Sequence, residues 1–121
     1  MIKRVRSHHY FMLDYLKALC RALFRPAMIF LFFLSTSLIL AFSFLFFYLE
    51  RFENNNITKF LDSLYYIVTI FTGAGLGDIV PVTQEGRILS MFVMFIGTAI
   101  YVSLAGVVAA TIIELEAERR K

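Results

Sequence analysis

Three glycines stand at alternate positions in one short apolar segment of this 121-residue chain. They are Gly73, Gly75 and Gly77, and the segment ends on Asp78, with Pro81 shortly after. Because glycine lacks a Cβ, alternate glycines let successive residues take φ values of opposite sign, which other L-residues avoid. A backbone that alternates in this way can turn consecutive carbonyl oxygens to the same side. Several such segments around one axis would form stacked oxygen rings that replace the water around a dehydrated cation.

The elements that must position this segment are apolar. Residues 26–49 and 88–113 carry no charge. As helices they would be roughly 36–39 Å long, enough to cross a ~30 Å hydrocarbon core. A third apolar stretch, residues 60–71, is too short to span and fits a re-entrant helix buried in protein. With 60% hydrophobic residues overall, the sequence predicts an all-α membrane protein in the order helix, re-entrant half-helix, glycine loop, helix.

The distribution of charge predicts the orientation. Nine of the twelve Lys and Arg residues lie before the first charge-free stretch or after the second, and only three lie between the two stretches. This bias predicts a multi-pass protein of the cell membrane with both termini in the cytoplasm. The net charge of +3 fits lipid headgroups and does not call for nucleic acid. The sequence shows no nucleophile–base constellation or phosphate-binding loop, so an enzyme is not expected.

Residues 72–78, T-G-A-G-L-G-D, resemble the selectivity filter of potassium channels, whose usual form is T-T-V-G-Y-G-D. The following P-V-T-x-x-G-R run at 81–87 is also similar to that family. The resemblance implies the pore domain of a two-transmembrane-helix potassium channel within the tetrameric cation channel superfamily. It further implies a homotetramer in membrane lipid, with K⁺ (or also Na⁺) as the permeant ion and no other cofactor. A cytoplasmic regulatory domain is common downstream of such pores.

The resemblance also assigns roles to residues. Carbonyl oxygens would bind K⁺, with no side-chain metal site, at the filter residues Gly73, Ala74, Gly75, Leu76 and Gly77. Support for the filter would come from Thr72, Asp78, Thr69 and the aromatic cuff of Tyr65 and Tyr66, against which Leu76 would pack. The inner helix would bend at Gly97, although helix packing explains this glycine equally well. One face of that helix would line the pore with Thr98, Tyr101, Ala105, Ala109 and Ile113.

This filter departs from the family pattern at four positions. Gly73 stands where the family usually has Thr or Ser, whose hydroxyl completes the innermost ion site. Ala74 replaces a larger Val, and Leu76 replaces the usual Tyr. Thr69 occupies a position where some relatives have an acid paired with the Asp78 equivalent. The first two changes predict a weaker innermost site and poorer discrimination against sodium.

The predicted organisation has three parts. Residues 1–25 form a cytoplasmic or interfacial segment, 26–113 the pore domain, and 114–121 a charged cytoplasmic tail that stops within a helix, as though a further domain followed. Within the pore domain we expect an outer helix at 26–49, a turret at 50–59, a pore helix at 60–72, the filter at 73–78 and an inner helix at 87–113.

Four functions are compatible with this organisation. The first is a potassium-selective pore, and the second is a nonselective Na⁺/K⁺ channel, which Gly73 and Ala74 favour. The third is a mechanosensitive-type pore or a small multidrug exporter, although neither apolar stretch contains the buried acid typical of an exporter. The fourth is a non-conducting membrane anchor or assembly subunit, which would leave the alternating glycines unexplained.

Overall fold

Four helices make up the regular structure of the residues described, which are 2–121, with the side chains of 12–118, 120 and 121. In this computed structural model α1 is Ile2–Leu23, α2 is Pro26–Glu50, α3 is Phe60–Phe71 and α4 is Gln84–Arg119. The all-α fold class predicted from the sequence is confirmed. α2 and the Gln84–Glu118 part of α4 are long and apolar enough to cross a membrane, and only 11% of each hydrophobic window is buried within the chain. Such exposed apolar helices suit contact with lipid or with other subunits.

The pore-helix segment begins and ends with specific backbone contacts. The Asp62 carboxylate accepts the N–H groups of Lys59 at 2.8 Å and Thr58 at 3.0 Å, so that it caps the first turn of α3. These contacts hold the pKa of Asp62 below its usual value, the Lys59 N–H most strongly. α3 ends at Phe71, and Thr72 caps its C-terminus. At twelve residues, α3 is about 18 Å long and cannot span a bilayer.

The inner helix is longer than the sequence pattern indicated. It begins at Gln84 rather than at 87, because the Thr83 hydroxyl accepts the N–H of Gly86 at 3.0 Å and caps the first turn. It continues past 113 to Arg119.

The chain divides into two compact units. One comprises Phe32–Val102, and the other comprises the residues up to Leu31 together with Ser103–Lys121. The core of the first contains Phe46, Ile57, Tyr66, Ile67, Ile70, Phe71 and Val93. The Phe46 and Tyr66 rings stack there with centroids 4.5 Å apart. This core connects α2, α3 and α4, so α3 is fixed on both sides and the loop that follows it has a defined starting point.

The second unit joins α1 to the C-terminal part of α4. Ala18 and Ala22 of α1 are fully buried. The Tyr15 hydroxyl donates to Glu116 at 2.7 Å, and Arg25 forms an ion pair with Glu114.

Candidate functional site

The glycine loop after α3 has an alternating backbone. Gly73, Gly75 and Gly77 have φ values of +81°, +52° and +76°. Among the described residues no other type has positive φ, so Ala74 and Leu76 lie between the glycines with the opposite sign. This is the conformation that the spacing of the glycines predicts, and it is open only to residues without a Cβ at the alternate positions. Leu76 is 64% exposed in the single chain, and its packing against the aromatic cuff stays a prediction.

The lower end of the loop is tied to the last turn of α3. The Gly75 N–H donates to the Thr69 carbonyl at 3.0 Å, and the Gly73 N–H donates to Ile70 at 3.3 Å. The Thr72 hydroxyl donates to the Val68 carbonyl at 2.8 Å. These contacts satisfy carbonyls that a helix end leaves without partners. The Thr72 hydroxyl is thus occupied by the helix backbone, and the next residue, Gly73, has no side-chain oxygen.

The upper end of the loop is held through Asp78. Its carboxylate accepts a hydrogen bond from the Tyr65 hydroxyl at 2.8 Å, and this bond raises the pKa of Tyr65. Thr69 is buried and donates to the Tyr66 carbonyl at 2.7 Å. Some relatives carry an acid at position 69 that pairs with the Asp78 equivalent. In this chain Tyr65, one helical turn earlier in α3, contacts Asp78 instead.

A cavity lies behind the loop, on the side of α3 and α4. Its volume is about 270 Å³, and its lining includes the backbone of Gly75 and Gly77 with Thr69, Tyr66 and Arg87. Tyr66 itself is buried and donates to Ser90 of α4 at 2.8 Å. The rear of the loop is thus bounded by α3 and α4 within one chain.

A buried carboxylate that the sequence reasoning missed connects α2 to the segment after the loop. Glu50 is fully buried and accepts bonds from the Val82 N–H at 2.8 Å and the Thr83 N–H at 2.9 Å. The Thr83 hydroxyl donates to it at 2.6 Å and the Asn54 amide at 2.8 Å. Asn54 also donates to the Val80 carbonyl at 2.8 Å. We call Glu50, Asn54 and Thr83 the Glu50 clamp.

The sequence contained a signal for this clamp. Glu50 directly follows a charge-free run of 24 residues, 26–49, and an acid in that position needs hydrogen-bond donors if it is buried. Glu50 is not among the site residues that the sequence predicts. Its partners are 32 and 33 residues away along the chain, so they could not be recognised from local pattern.

The inner-helix residues fall into two groups. Gly97 is buried, and a Cβ built on it would lie 2.5 Å from the Phe71 carbonyl oxygen and 2.7 Å from the Phe71 Cα. Close packing of α4 against the end of α3 therefore requires glycine here, whereas the bending role stays a prediction. The predicted pore-lining residues are all exposed in the single chain; they are Thr98, Tyr101, Ala105, Ala109 and Ile113.

Comparison with known proteins identifies the family of this chain. The model of a family described as ion channels matches residues 26–114, which include α2, α3, the glycine loop and most of α4. The chain belongs to this ion-channel family. The predicted resemblance is thereby confirmed, and the glycine loop between α3 and α4 lies within the matched residues.

Curated relatives of the channel include potassium channels. The calcium-gated potassium channel TvoK of Thermoplasma volcanium is 28% identical over 78 residues, 60% of this chain and 22% of TvoK. The voltage-gated inwardly rectifying potassium channels KCNH2 of Sus scrofa and KCNH7 of Mus musculus are each 37% identical over 54 residues, 45% of this chain. The matched part is 5% of KCNH2 and 4% of KCNH7. The chain therefore spans less than a quarter of the length of these relatives.

Proposed function

We propose that this chain is one subunit of a homotetrameric pore that conducts K⁺ through rings of backbone carbonyls. Residues Gly73, Ala74, Gly75, Leu76 and Gly77 supply the oxygens, and no side chain binds the ion. The observation that carries the proposal is the alternation of positive φ at the three glycines. One chain supplies one loop, and a ring needs several, which supports a fourfold assembly.

One further feature supports cation conduction, and another supports the proposed orientation. The C-terminal end of α3 meets the loop, and a helix C-terminus carries a partial negative charge that favours cations. The proposed orientation, with both termini in the cytoplasm, follows the concentration of Lys and Arg outside the two spans. A cytoplasmic regulatory domain associated with the tail stays a prediction.

A second candidate function is nonselective Na⁺/K⁺ conduction, and a specific observation favours it. Gly73 offers no side-chain oxygen, and the neighbouring Thr72 hydroxyl is engaged with the Val68 carbonyl at 2.8 Å. The cavity-side ring would therefore rely on backbone oxygens alone.

One experiment separates these functions. The purified full chain is reconstituted into liposomes and planar bilayers, its symmetry is determined, and reversal potentials are measured under opposed K⁺ and Na⁺ gradients. A tetramer whose reversal potential follows the K⁺ gradient supports the first function. A potential near zero with robust current supports the second. A stable membrane protein that passes no cation, or a dimer, would overturn both and favour an anchor or assembly subunit.

A further inference from the structure

A buried serine of α4 joins that helix to α3. Ser90 is buried, and its hydroxyl donates to the Gly86 carbonyl, one turn earlier in α4, at 2.7 Å. Because this bond uses the only hydrogen of the hydroxyl, the oxygen is left to act as an acceptor. It accepts the Tyr66 hydroxyl of α3 at 2.8 Å. Ser90 therefore has a defined partner on each side.

Gly86, the first of these partners, is itself held in place. Its N–H donates to the Thr83 hydroxyl at 3.0 Å, and the Thr83 hydroxyl donates to Glu50 at 2.6 Å. The carbonyl that Ser90 contacts thus belongs to a residue bonded to the Glu50 clamp. Ser90 connects this clamp to Tyr66.

Tyr66, the second partner, is fixed at its ring and at its hydroxyl. The ring stacks on Phe46 of α2 with centroids 4.5 Å apart, and the hydroxyl reaches Ser90 of α4. A buried phenol hydroxyl needs a hydrogen-bond partner, because water no longer solvates it. Without the Ser90 oxygen, the buried Tyr66 hydroxyl would lose this bond and the side chain would have reason to shift.

The backbone of Tyr66 leads from this side chain to the glycine loop. The Tyr66 carbonyl accepts the Thr69 hydroxyl at 2.7 Å, and the Thr69 carbonyl accepts the Gly75 N–H at 3.0 Å. Gly75 is the central glycine of the loop, with φ +52°. A continuous series of contacts therefore runs from Ser90 through α3 into the middle of the loop.

The cavity behind the loop makes this series important. Tyr66, Thr69, Gly75 and Ser90 all line this space of about 270 Å³. The cavity separates the loop from this part of α4, so within one chain the connection between them passes around it through α3. The hydrogen bonds of this series set how far the rear of the loop lies from α4.

We propose that Ser90 is a positioning residue for the ion-binding loop. Through Tyr66 and Thr69 it fixes Gly75, and with it the carbonyl oxygens that form the ring, although Ser90 itself does not touch the ion. A binding site requires its ligating groups to be held to within about 0.5 Å. The proposal rests on the proposed function, since it takes the loop carbonyls as the K⁺ ligands. If Ser90 only stabilised the helix pair, its loss would lower stability and leave K⁺ affinity unchanged.

The affinity for K⁺ is therefore the quantity to measure. The full chain in detergent is titrated with KCl, with N-methyl-D-glucamine chloride keeping the ionic strength constant, and its thermal unfolding midpoint is followed. Because a ligand of the native state raises the midpoint according to its binding, the titration gives an apparent Kd for K⁺. A wild type whose midpoint does not respond to K⁺ would overturn the proposed function and, with it, the role of Ser90.

Two variants remove the bond between the hydroxyls, one from each side. Ser90→Ala and Tyr66→Phe should each raise the apparent Kd for K⁺ about fivefold, the factor that corresponds to one neutral hydrogen bond. The double variant should stay close to the single variants, because both changes remove the same bond. Ser90→Thr keeps the hydroxyl beside a cavity that has room for the added methyl group, and it should retain the wild-type Kd. If Ser90→Ala does not fold, Tyr66→Phe decides the comparison.

Ser43→Ala is the matched control. Ser43 is fully buried in α2, and its hydroxyl donates at 2.6 Å to the Ile39 carbonyl four residues earlier, just as Ser90 donates to Gly86. This variant should keep the wild-type Kd even where its midpoint falls. The proposal would be overturned by a wild-type Kd in Ser90→Ala or Tyr66→Phe, by an equal rise in Ser43→Ala, or by effects that multiply in the double variant.

Discussion

At the scale of single residues, the glycines of this chain serve two different purposes. Gly75 has φ +52°, and a Cβ added to it would meet no atom within 4 Å in the single chain. Its requirement for glycine is therefore conformational, not steric. Gly106 also has open space around it, but its φ lies outside the positive range, so it is an internal control with the same chemistry.

We predict that Gly75→Ala disrupts selectivity. A Cβ in the left-handed region costs about 1–2 kcal/mol per residue, and a tetramer bears the cost four times in one ring. The loop should relax out of alternation, and the K⁺/Na⁺ permeability ratio from reversal potentials should fall toward about one, or conduction should stop.

The Gly106→Ala control should conduct with wild-type selectivity, since alanine is favoured over glycine inside a helix by about 1 kcal/mol. A Gly75→Ala channel with an unchanged permeability ratio would show that alternating φ is not what shapes the ion path.

The Glu50 clamp leads to a prediction about stability. Glu50→Gln retains the shape of the side chain but replaces one oxygen by an amide donor, which then faces the N–H and hydroxyl donors around it. Hydrogen bonds to a charged group contribute about 1.5–3 kcal/mol each. We expect the variant to lose several kcal/mol per subunit, seen as a clear fall in the midpoint of thermal unfolding in detergent.

Glu53→Gln provides the control for the clamp. Glu53 is exposed and its side chain takes no part in the clamp, so its unfolding midpoint should stay within experimental error of wild type. Similar midpoints for both variants would mean that Glu50 is solvated in the assembled channel.

The spacing of the glycines predicts the conformation of the loop, whereas residue types alone do not predict which side chains pair around it. The alternation at Gly73, Gly75 and Gly77 could be read from spacing because φ is a local property. The Glu50 contacts to Val82 and Thr83 cross more than thirty residues, and nothing local marks them. The aromatic cuff that includes Tyr65 stays a prediction, and the sequence pattern does not indicate that the Tyr65 hydroxyl donates to Asp78. Side-chain pairing of this kind depends on how two elements meet.

At the scale of elements, α3 and α4 meet at Gly97. The three atoms nearest to an added Cβ there would be backbone atoms of Phe71, at 2.5–2.9 Å, and backbone cannot move aside as a flexible side chain can. We predict that Gly97→Ala destabilises the channel by about 1–3 kcal/mol, the usual cost of overpacking, measured by thermal unfolding in detergent.

This measurement separates packing from bending at Gly97. If the glycine served only as a hinge, Gly97→Ala would alter open probability without lowering the unfolding midpoint. Gly106→Ala, with open space around the added Cβ, should change neither the open probability nor the unfolding midpoint.

Hydrogen bonds from capping side chains decide where α3 and α4 begin, and the hydrophobic pattern does not predict these bonds. The charge-free stretch 26–49 agrees with the bounds of α2, Pro26–Glu50, to within one residue, as expected for a helix that must keep charge out of lipid. The start of α4 depends instead on the Thr83 hydroxyl, and the start of α3 on the Asp62 carboxylate. Charge also fails as a marker of the end of α4, which continues as helix through Glu118 because an exposed helix tolerates charged residues.

At the scale of the whole molecule, selectivity would belong to the proposed tetramer, because each filter residue would enter a ring once per subunit. The Gly73 ring offers four backbone carbonyls and no hydroxyl in the proposed tetramer, and the Ala74 side chain gives little packing behind it. We therefore expect one fewer ordered ion site at the cavity end than in a filter with Thr at that position, and a lower K⁺/Na⁺ permeability ratio.

Restoring the family residues should reverse this. Gly73→Thr adds four hydroxyls around the axis and restricts the backbone, but Gly73 has φ +81°, so threonine requires that residue to move out of the positive range. The substitution should raise the K⁺/Na⁺ permeability ratio if the lower loop can adjust, and Ala74→Val added to it should raise the ratio further through packing. Reversal potentials of wild type, both single variants and the double variant are compared under identical gradients. A wild type already as selective as the double variant would show that the rings at Gly75 and Leu76 suffice, and that the innermost ring does not set selectivity in this channel.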